Sequence, residues 1–276
     1  MPLLKPLFGQ AELQRDHPLA QGLVGAWLCN EGSGDRVWDY SGNGNHGTLN
    51  ADLPQDWTLG PSGYNVSLAT NDYIALPSLS ALIDGRGTLT VMVHSLRTNI
   101  TTDHPLFCRG NTDASGFILL MHDDACASGV QGSGNTDTFM FNVGATSGSG
   151  NRVNGTTGAS KANTWQQVCG VMNGAERSLY IDGLLNATHS SGVATTIGSL
   201  ATAPTIGLFG TTYASASIDL VTVWNSALSA SAIAQHALDP YALFRPRRRV
   251  WMLAPSGVTY PTWLKHNRRI GLIGVR

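Results

Sequence analysis

Apolar and polar residues alternate along this chain in short runs, each bounded by Gly, Asn, Asp or Pro. GLVGAWL (22–28) is the first clear run. It is followed by YNVSL (64–68), DYIAL (72–76), TLTVMVHSL (88–96), FILLMH (117–122), TFMFNV (138–143), WQQVCGVM (165–172), RSLYIDG (177–183), PTIGLFG (204–210) and ASIDLVTVWN (216–225). β-Branched and aromatic residues are frequent in them, and a period near two puts successive side chains on opposite faces of a sheet. Many short strands between turn residues predict an all-β protein, an antiparallel β-sandwich or jelly roll. One segment breaks the pattern. In SASAIAQHALDP (229–240), Ile233, Ala237 and Leu238 recur at helical spacing behind Ser229 as N-cap, and Pro240 stops the run. That predicts one short C-terminal helix. GATSGSGNRVNGTTGASKAN (144–163) reads as a polar loop.

Composition fits this picture. Of 276 residues, 42% are apolar, 13% are charged and 32 are glycine, which suits a loop-rich β protein with a real core. No run of 18 apolar residues exists, so no membrane span is expected. MPLLKPLFGQAELQRD at the start lacks the apolar segment and small-residue cleavage site of a secretory signal, and is expected to be retained. Cys29, Cys108, Cys126 and Cys169 show neither C-x-x-C nor zinc spacing, and are expected to be free, mostly buried thiols. The pattern divides the chain into an arm (1–21), a sandwich (22–240) and a second arm (241–276).

Charge is uneven. LFRPRRRVW (243–251) holds Arg245, Arg247, Arg248 and Arg249, and from Arg245 onward there are eight Lys or Arg and no acid. The preceding 244 residues hold nine basic and 18 acidic residues, so a mildly acidic body carries a basic tail within a net charge of −1.

Three stretches resemble laminin-G-like domains of the concanavalin A-like lectin/glucanase superfamily. GLVGAWLCNEGSGDRVWDYSGNGNHGTL resembles the opening, TWQQVCGVMNGAERSLYIDG a central hairpin, and SIDLVTVWNSALSASAIAQH the last strand and short helix. The resemblance implies a concanavalin A-like sandwich. Locally, SGNGNHG suits a loop that turns sharply several times. Asp182-Gly183 suits a hairpin turn, and Trp27, Trp165 and Trp224 are expected to fill the core. Two departures matter. His94 stands where the family often has an aromatic residue. Leu220 follows Asp219 where the family often has a second acid. Some relatives hold a structural calcium near that acid, so Asp219 is the one calcium candidate, and no cofactor is expected.

Enzymatic chemistry is not expected. Glycosidases of this fold need two carboxylates close together, yet Glu12, Glu31 and Glu176 form no strand-spaced cluster. Asp123-Asp124, beside His122, reads as a solvated loop. No nucleophile elbow, P-loop or H-E-x-x-H is present. For glycan binding, Trp57, Tyr64 and Tyr213 are the aromatic candidates near loops.

The tail interleaves basic clusters with bulky hydrophobic residues. That composition suits docking on protein better than solvating or binding nucleic acid. Arg245, Arg247, Arg248, Arg249, Trp251, Trp263, Arg268 and Arg269 are the expected docking residues. A laminin-G-like module followed by LF-x-P-R-R-R also resembles accessory virion proteins of tailed bacteriophages. That resemblance implies a non-enzymatic structural protein, assembled in the host cytoplasm: a capsid-decorating (cement) or other surface accessory protein that docks through its terminal arms. Its partners would be other virion proteins and copies of itself as a homo-oligomer. The alternative it leaves is a carbohydrate-binding adhesion module on a tail or fibre.

Overall fold

The computed structural model describes residues 4–50, 56–110, 118–125, 136–144, 151–190 and 194–246. Two antiparallel sheets of eight strands each face one another. The first runs, edge to edge, through Leu184–His189, Glu176–Ile181, Trp165–Asn173, Thr88–Arg97, Ala216–Trp224, Gly63–Leu68 and Trp57–Gly60. Its eighth strand, Leu23–Trp27, shares an edge of Ala216–Trp224 with Gly63–Leu68. The second runs through Arg152–Asn154, Thr136–Val143, Ile118–Ala125, His104–Arg109, Pro204–Ile206, Tyr73–Ala75, Gly47–Asn50 and Arg36–Val37. This is the antiparallel sandwich that the alternating runs predict.

Alternation decides which side chains meet. Val91, Val93, Ile218, Val221 and Val223 point inward against Phe107, Leu120, Phe139 and Phe141 of the opposite sheet, all fully buried. Thr90, Met92 and His94 occupy the opposite face of the same sheet. That face carries a second cluster. Met92, Cys169, Leu220 and Trp224 pack there under Ile233 of the helix Ala230–Leu238, with Ala11, Leu19, Tyr241, Leu243 and Phe244. The helix starts as expected, with Ser229 Oγ accepting from the Ala232 amide at 3.2 Å. Trp27 lies in the inter-sheet core, whereas Trp224 is buried in this outer cluster. Trp165 is only half-buried, its ring 5.2 Å from that of His94.

Several strands lie where the sequence pattern gives no run. His104–Arg109 is fully buried despite Pro105, which sits beside a register shift between Leu120 and Met121, where a ladder tolerates a missing donor. Arg152–Asn154 lies inside the stretch read as a polar loop and pairs with Met140–Asn142. The acid pair belongs to strand Ile118–Ala125 rather than a solvated loop, and Asp123 is buried. The turn Asp182-Gly183 takes φ of 50° and 82°, as its sequence suggests.

The terminal segments are part of the molecule's surface layer. Ala11–Leu13 pairs with Phe244–Pro246 in a two-stranded ribbon, Ala11 opposite Pro246 and Leu13 opposite Phe244. Ala11, Leu19, Tyr241 and Leu243 are buried. Residues 4–21 therefore lie on the sandwich rather than standing away from it.

Candidate functional site

Asp39 organises one end of the fold. Its Oδ1 accepts from the amides of Ala26 (2.9 Å) and Ser41 (2.8 Å). Its Oδ2 accepts from Ser41 Oγ (2.8 Å) and the Asn45 amide (2.9 Å). Asn43 and Asn45 donate side-chain hydrogen bonds to the Val24 carbonyl, and Trp27 Nε1 donates to the Asn45 carbonyl at 2.8 Å. The D-x-S-G-N-G-N-H-G stretch thus clasps strand Leu23–Trp27. A carboxylate with four donors is fully engaged and anchors the backbone on both sides.

That anchoring fixes two aromatic neighbours. Trp38 turns outward and is 36% exposed. The Arg36 guanidinium lies 4.3 Å from its ring centroid, and His46 meets it edge-on at 4.6 Å. Cation–π and edge contacts of this kind hold a surface ring in place. Tyr40 turns to the other side, where its hydroxyl donates to Asn30 Oδ1 at 3.2 Å and its ring packs 6.2 Å from Phe244. The N-terminal segment brings Phe8, 46% exposed, to 6.3 Å from Trp38. Between them lies a cavity of about 290 Å³ lined by Phe8, Gly9, Ala11, Trp38, Asp39 and Tyr40. It shares Ala11, Asp39 and Tyr40 with a second cavity of about 310 Å³, which Glu12, Arg15 and Asp16 also line. Together they form a groove with aromatic walls at one end and charged hydrogen-bonding groups at the other. Such a groove suits a ligand with apolar faces and hydroxyl edges.

A separate buried polar centre gathers around Lys5. Lys5 Nζ donates to the carbonyls of Leu28 (2.7 Å), Tyr64 (2.5 Å) and Asp219 (2.9 Å), and pairs with Asp219 Oδ1 at 2.7 Å. Asp219 Oδ2 faces His94 Nδ1 at 2.9 Å and accepts from the Tyr241 hydroxyl. Burial pushes the Asp219 carboxyl up, but the His94 hydrogen bond and the Lys5 charge outweigh it and hold the group below the ordinary carboxylate range. The calcium that the family resemblance implies near Asp219 does not fit this arrangement. Lys5 Nζ already occupies the point toward which those oxygens converge.

The candidates named from sequence are dispersed. Trp57 is 9% exposed, lies in the core cluster and donates from Nε1 to the Gly34 carbonyl at 2.8 Å, so its ring is not a surface platform. Tyr64 is 43% exposed on strand Gly63–Leu68. Tyr213 lies in the small hairpin Leu208–Phe209 with Thr212–Tyr213, its ring 6.4 Å from Tyr73. Arg245 enters the ribbon opposite Glu12. Arg247, Arg248, Arg249, Trp251, Trp263, Arg268 and Arg269 lie outside the described residues. Phe8, Trp38 and Tyr40 are the groove residues that sequence reasoning missed. Cys29, Cys108 and Cys169 are free and buried, and burial raises each thiol pKa. Cys126 lies outside the described residues. No group of three or more metal-ligating side chains occurs among the described residues.

The laminin-G family model described as the concanavalin A-like lectin/glucanases superfamily matches residues 68–234. The chain belongs to this superfamily. Solved structures agree on the fold. Domain 4 of AbnA, a GH43 extracellular arabinanase from Geobacillus stearothermophilus solved with arabinotriose, is similar at TM-score 0.59 and 16% identity, covering 83% of this chain and 99% of that one. The binding domain of Paraclostridial Mosquitocidal Protein 1 is similar at TM-score 0.60 and 15% identity, covering 81% of this chain and 53% of that one. Trypanosoma rangeli sialidase is similar at TM-score 0.52 and 15% identity, covering 80% of this chain but 33% of the sialidase. No curated protein matches the chain in sequence.

Proposed function

We propose that this superfamily member is a carbohydrate-binding module without hydrolytic activity, and that it takes a neutral oligosaccharide in the groove between Phe8, Trp38 and Tyr40. The observation that carries the reading is Trp38. It is a surface tryptophan held by Arg36 and His46 at the mouth of a cavity whose far end offers Glu12, Arg15 and Asp16. Sugar rings have apolar C–H faces that pack on aromatic rings, while their hydroxyls exchange hydrogen bonds with carboxylates and guanidinium groups. The arabinotriose in the arabinanase domain supports the ligand class. The engagement of Asp39 and Asp219 in structural bonds supports a binding rather than a catalytic role. The test is titration calorimetry against a panel of neutral oligosaccharides, arabino-oligosaccharides included. Binding by the wild type should weaken at least ~10-fold in Trp38→Ala and Phe8→Ala and stay unchanged in Tyr213→Ala. Equal binding by Trp38→Ala would overturn the site. Reducing ends released from any panel polysaccharide would overturn the non-enzymatic reading.

A second reading is an accessory virion protein of a tailed phage, assembled in the host cytoplasm, whose basic tail docks on other virion proteins or on sister copies. The ribbon favours it, because pairing of Phe244–Pro246 with Ala11–Leu13 starts the basic stretch on the groove side of the molecule. Changing Arg247, Arg248 and Arg249 together to Ser should lower particle or oligomer incorporation and leave the melting temperature unchanged. Unaltered incorporation would count against it.

A further inference from the structure

We infer that Lys5 is a built-in substitute for a divalent cation, and that shortening its side chain opens a calcium site in this fold. The position follows from the sheet. Along one edge of Ala216–Trp224, Gly63–Leu68 pairs as far as Ile218 and Leu23–Trp27 takes over at Val221. Asp219 lies in the gap, at a register shift between Ile218 and Leu220. Both neighbouring strands diverge there, and Cys29 turns the backbone away with φ of 48°. At this gap the carbonyls of Leu28, Tyr64 and Asp219 turn toward the Lys5 side chain, and buried carbonyls need partners.

Lys5 supplies them, but its chemistry is an imperfect match. Five oxygens surround Nζ: Leu28 O, Tyr64 O, Asp219 O and Asp219 Oδ1 within 2.9 Å, and Cys29 O at 3.4 Å. An ammonium has three hydrogens to share among them. A spherical ion serves all of its ligands at once, and a set of carbonyls with a carboxylate is the donor class that calcium takes. The Lys5 and Asp219 side chains are 1% and 4% exposed, so the cage is closed. The backbone around Lys5 is pinned independently of its side chain. The Lys5 amide donates to the Ser62 carbonyl at 3.0 Å, and Asn30 Nδ2 donates to the Pro6 carbonyl at 2.8 Å. Loss of the ammonium should thus vacate the cage without releasing the segment.

The test uses the full chain as wild type, Lys5→Ala, Lys5→Met and Lys5→Ala/Asp219→Asn. Each is melted in chelator and in millimolar calcium, and titrated with terbium for luminescence sensitised by the nearby tyrosines. Wild type should shift by less than ~1 °C with calcium. Lys5→Ala should melt lower in chelator and recover by about 5 °C or more in calcium, with saturable terbium luminescence. Lys5→Met, whose thioether fills the cage without charge, and the double variant should show neither. If Lys5→Ala does not fold in chelator, refolding with calcium decides: folded protein supports the inference and its absence overturns it. Lys5→Ala without calcium recovery or terbium signal would also overturn it. So would a wild type that gains as much from calcium as Lys5→Ala.

Discussion

Glu31 Oε1 accepts the backbone amide of Trp38 at 2.8 Å, so a partly buried carboxylate supports the backbone of the groove tryptophan. Its Oε2 has no hydrogen-bond partner among the described residues. Burial pushes the Glu31 carboxyl up to about 7, against the downward pull of the Trp38 amide and Lys5. The fold therefore favours the neutral acid. This contribution is fully present below the unfolded value near 4.5 and is lost as pH rises through about 7. Glu31→Gln keeps an acceptor for the Trp38 amide and removes the titration. It should be more stable than wild type by roughly 2 kcal/mol at pH 8.5, with no such gain at pH 4.5. Urea midpoints at the two pH values measure this, and an equal offset at both would contradict it.

His236 works in the opposite direction. It is fully buried on the helix, Gln167 Nε2 lies 2.9 Å from its Nδ1, and Trp224 lies edge-on at 5.8 Å. Burial, helped by the charges of His94 and His17, lowers its pKa to about 3. The neutral ring's stabilisation is present above the unfolded value near 6.5 and is lost as pH falls toward about 3. Between pH 6.5 and 4.5, therefore, Glu31 gains what His236 loses. Wild-type stability should be nearly flat across that window. His236→Phe should become more stable toward pH 4.5 and Glu31→Gln less stable, each by roughly 2 kcal/mol. Parallel profiles for all three proteins would refute the opposition.

Gly170 stands against Phe141 of the opposite sheet. A Cβ there would lie 2.2 Å from Phe141 Cδ2, closer than any real carbon contact. Gly170 sits mid-strand between Val91 and Leu179, so the backbone cannot retreat easily. Gly170→Ala should cost about 3 kcal/mol or more by overpacking. Adding Phe141→Leu should recover part of it, making the double variant more stable than the sum of the singles predicts. Strict additivity in thermal or urea unfolding would show that the ring is not the obstacle.

Much of this was legible in sequence where the cause is local. Alternation located the long buried strands, Ser229 marked the helix start, and Asp182-Gly183 marked a turn. Trp38 was legible too, since Arg36 and Trp38 bracket buried Val37 and a period of two turns Trp38 outward. The turn residues that follow it, SGNGNHG, mark the stretch as a structural loop, and nothing local distinguishes a ligand-facing tryptophan from a packing one. Lys5 was not legible. Its carboxylate partner is 214 residues away, and only the divergence of two strands at Asp219 creates the cage it fills. Strand His104–Arg109 was hidden for a similar reason, because Pro105 is acceptable only beside a shift in its partner strand.

The same long-range contacts bear on where the folding unit ends. Sequence motifs place the sandwich at 22–240, but the outer face of the first sheet is covered by residues beyond both limits. Ala11, Leu19, Tyr241, Leu243 and Phe244 are each no more than 5% exposed. Full burial of a large apolar side chain contributes about 1.5–3 kcal/mol, and Tyr241 and Lys5 also hold the Asp219 carboxylate. A chain limited to 22–240 would keep Ile233 but lose the rest of the cover over Met92, Cys169 and Leu220, and would leave Asp219 with His94 alone. It should therefore melt well below a chain of residues 4–246, by about 10 °C or more at 2–4 °C per kcal/mol. Its transition should also broaden, and it should bind a hydrophobic dye before unfolding. A 22–240 chain that melts within ~2 °C of the longer one would show that the terminal segments rest on the sandwich without stabilising it.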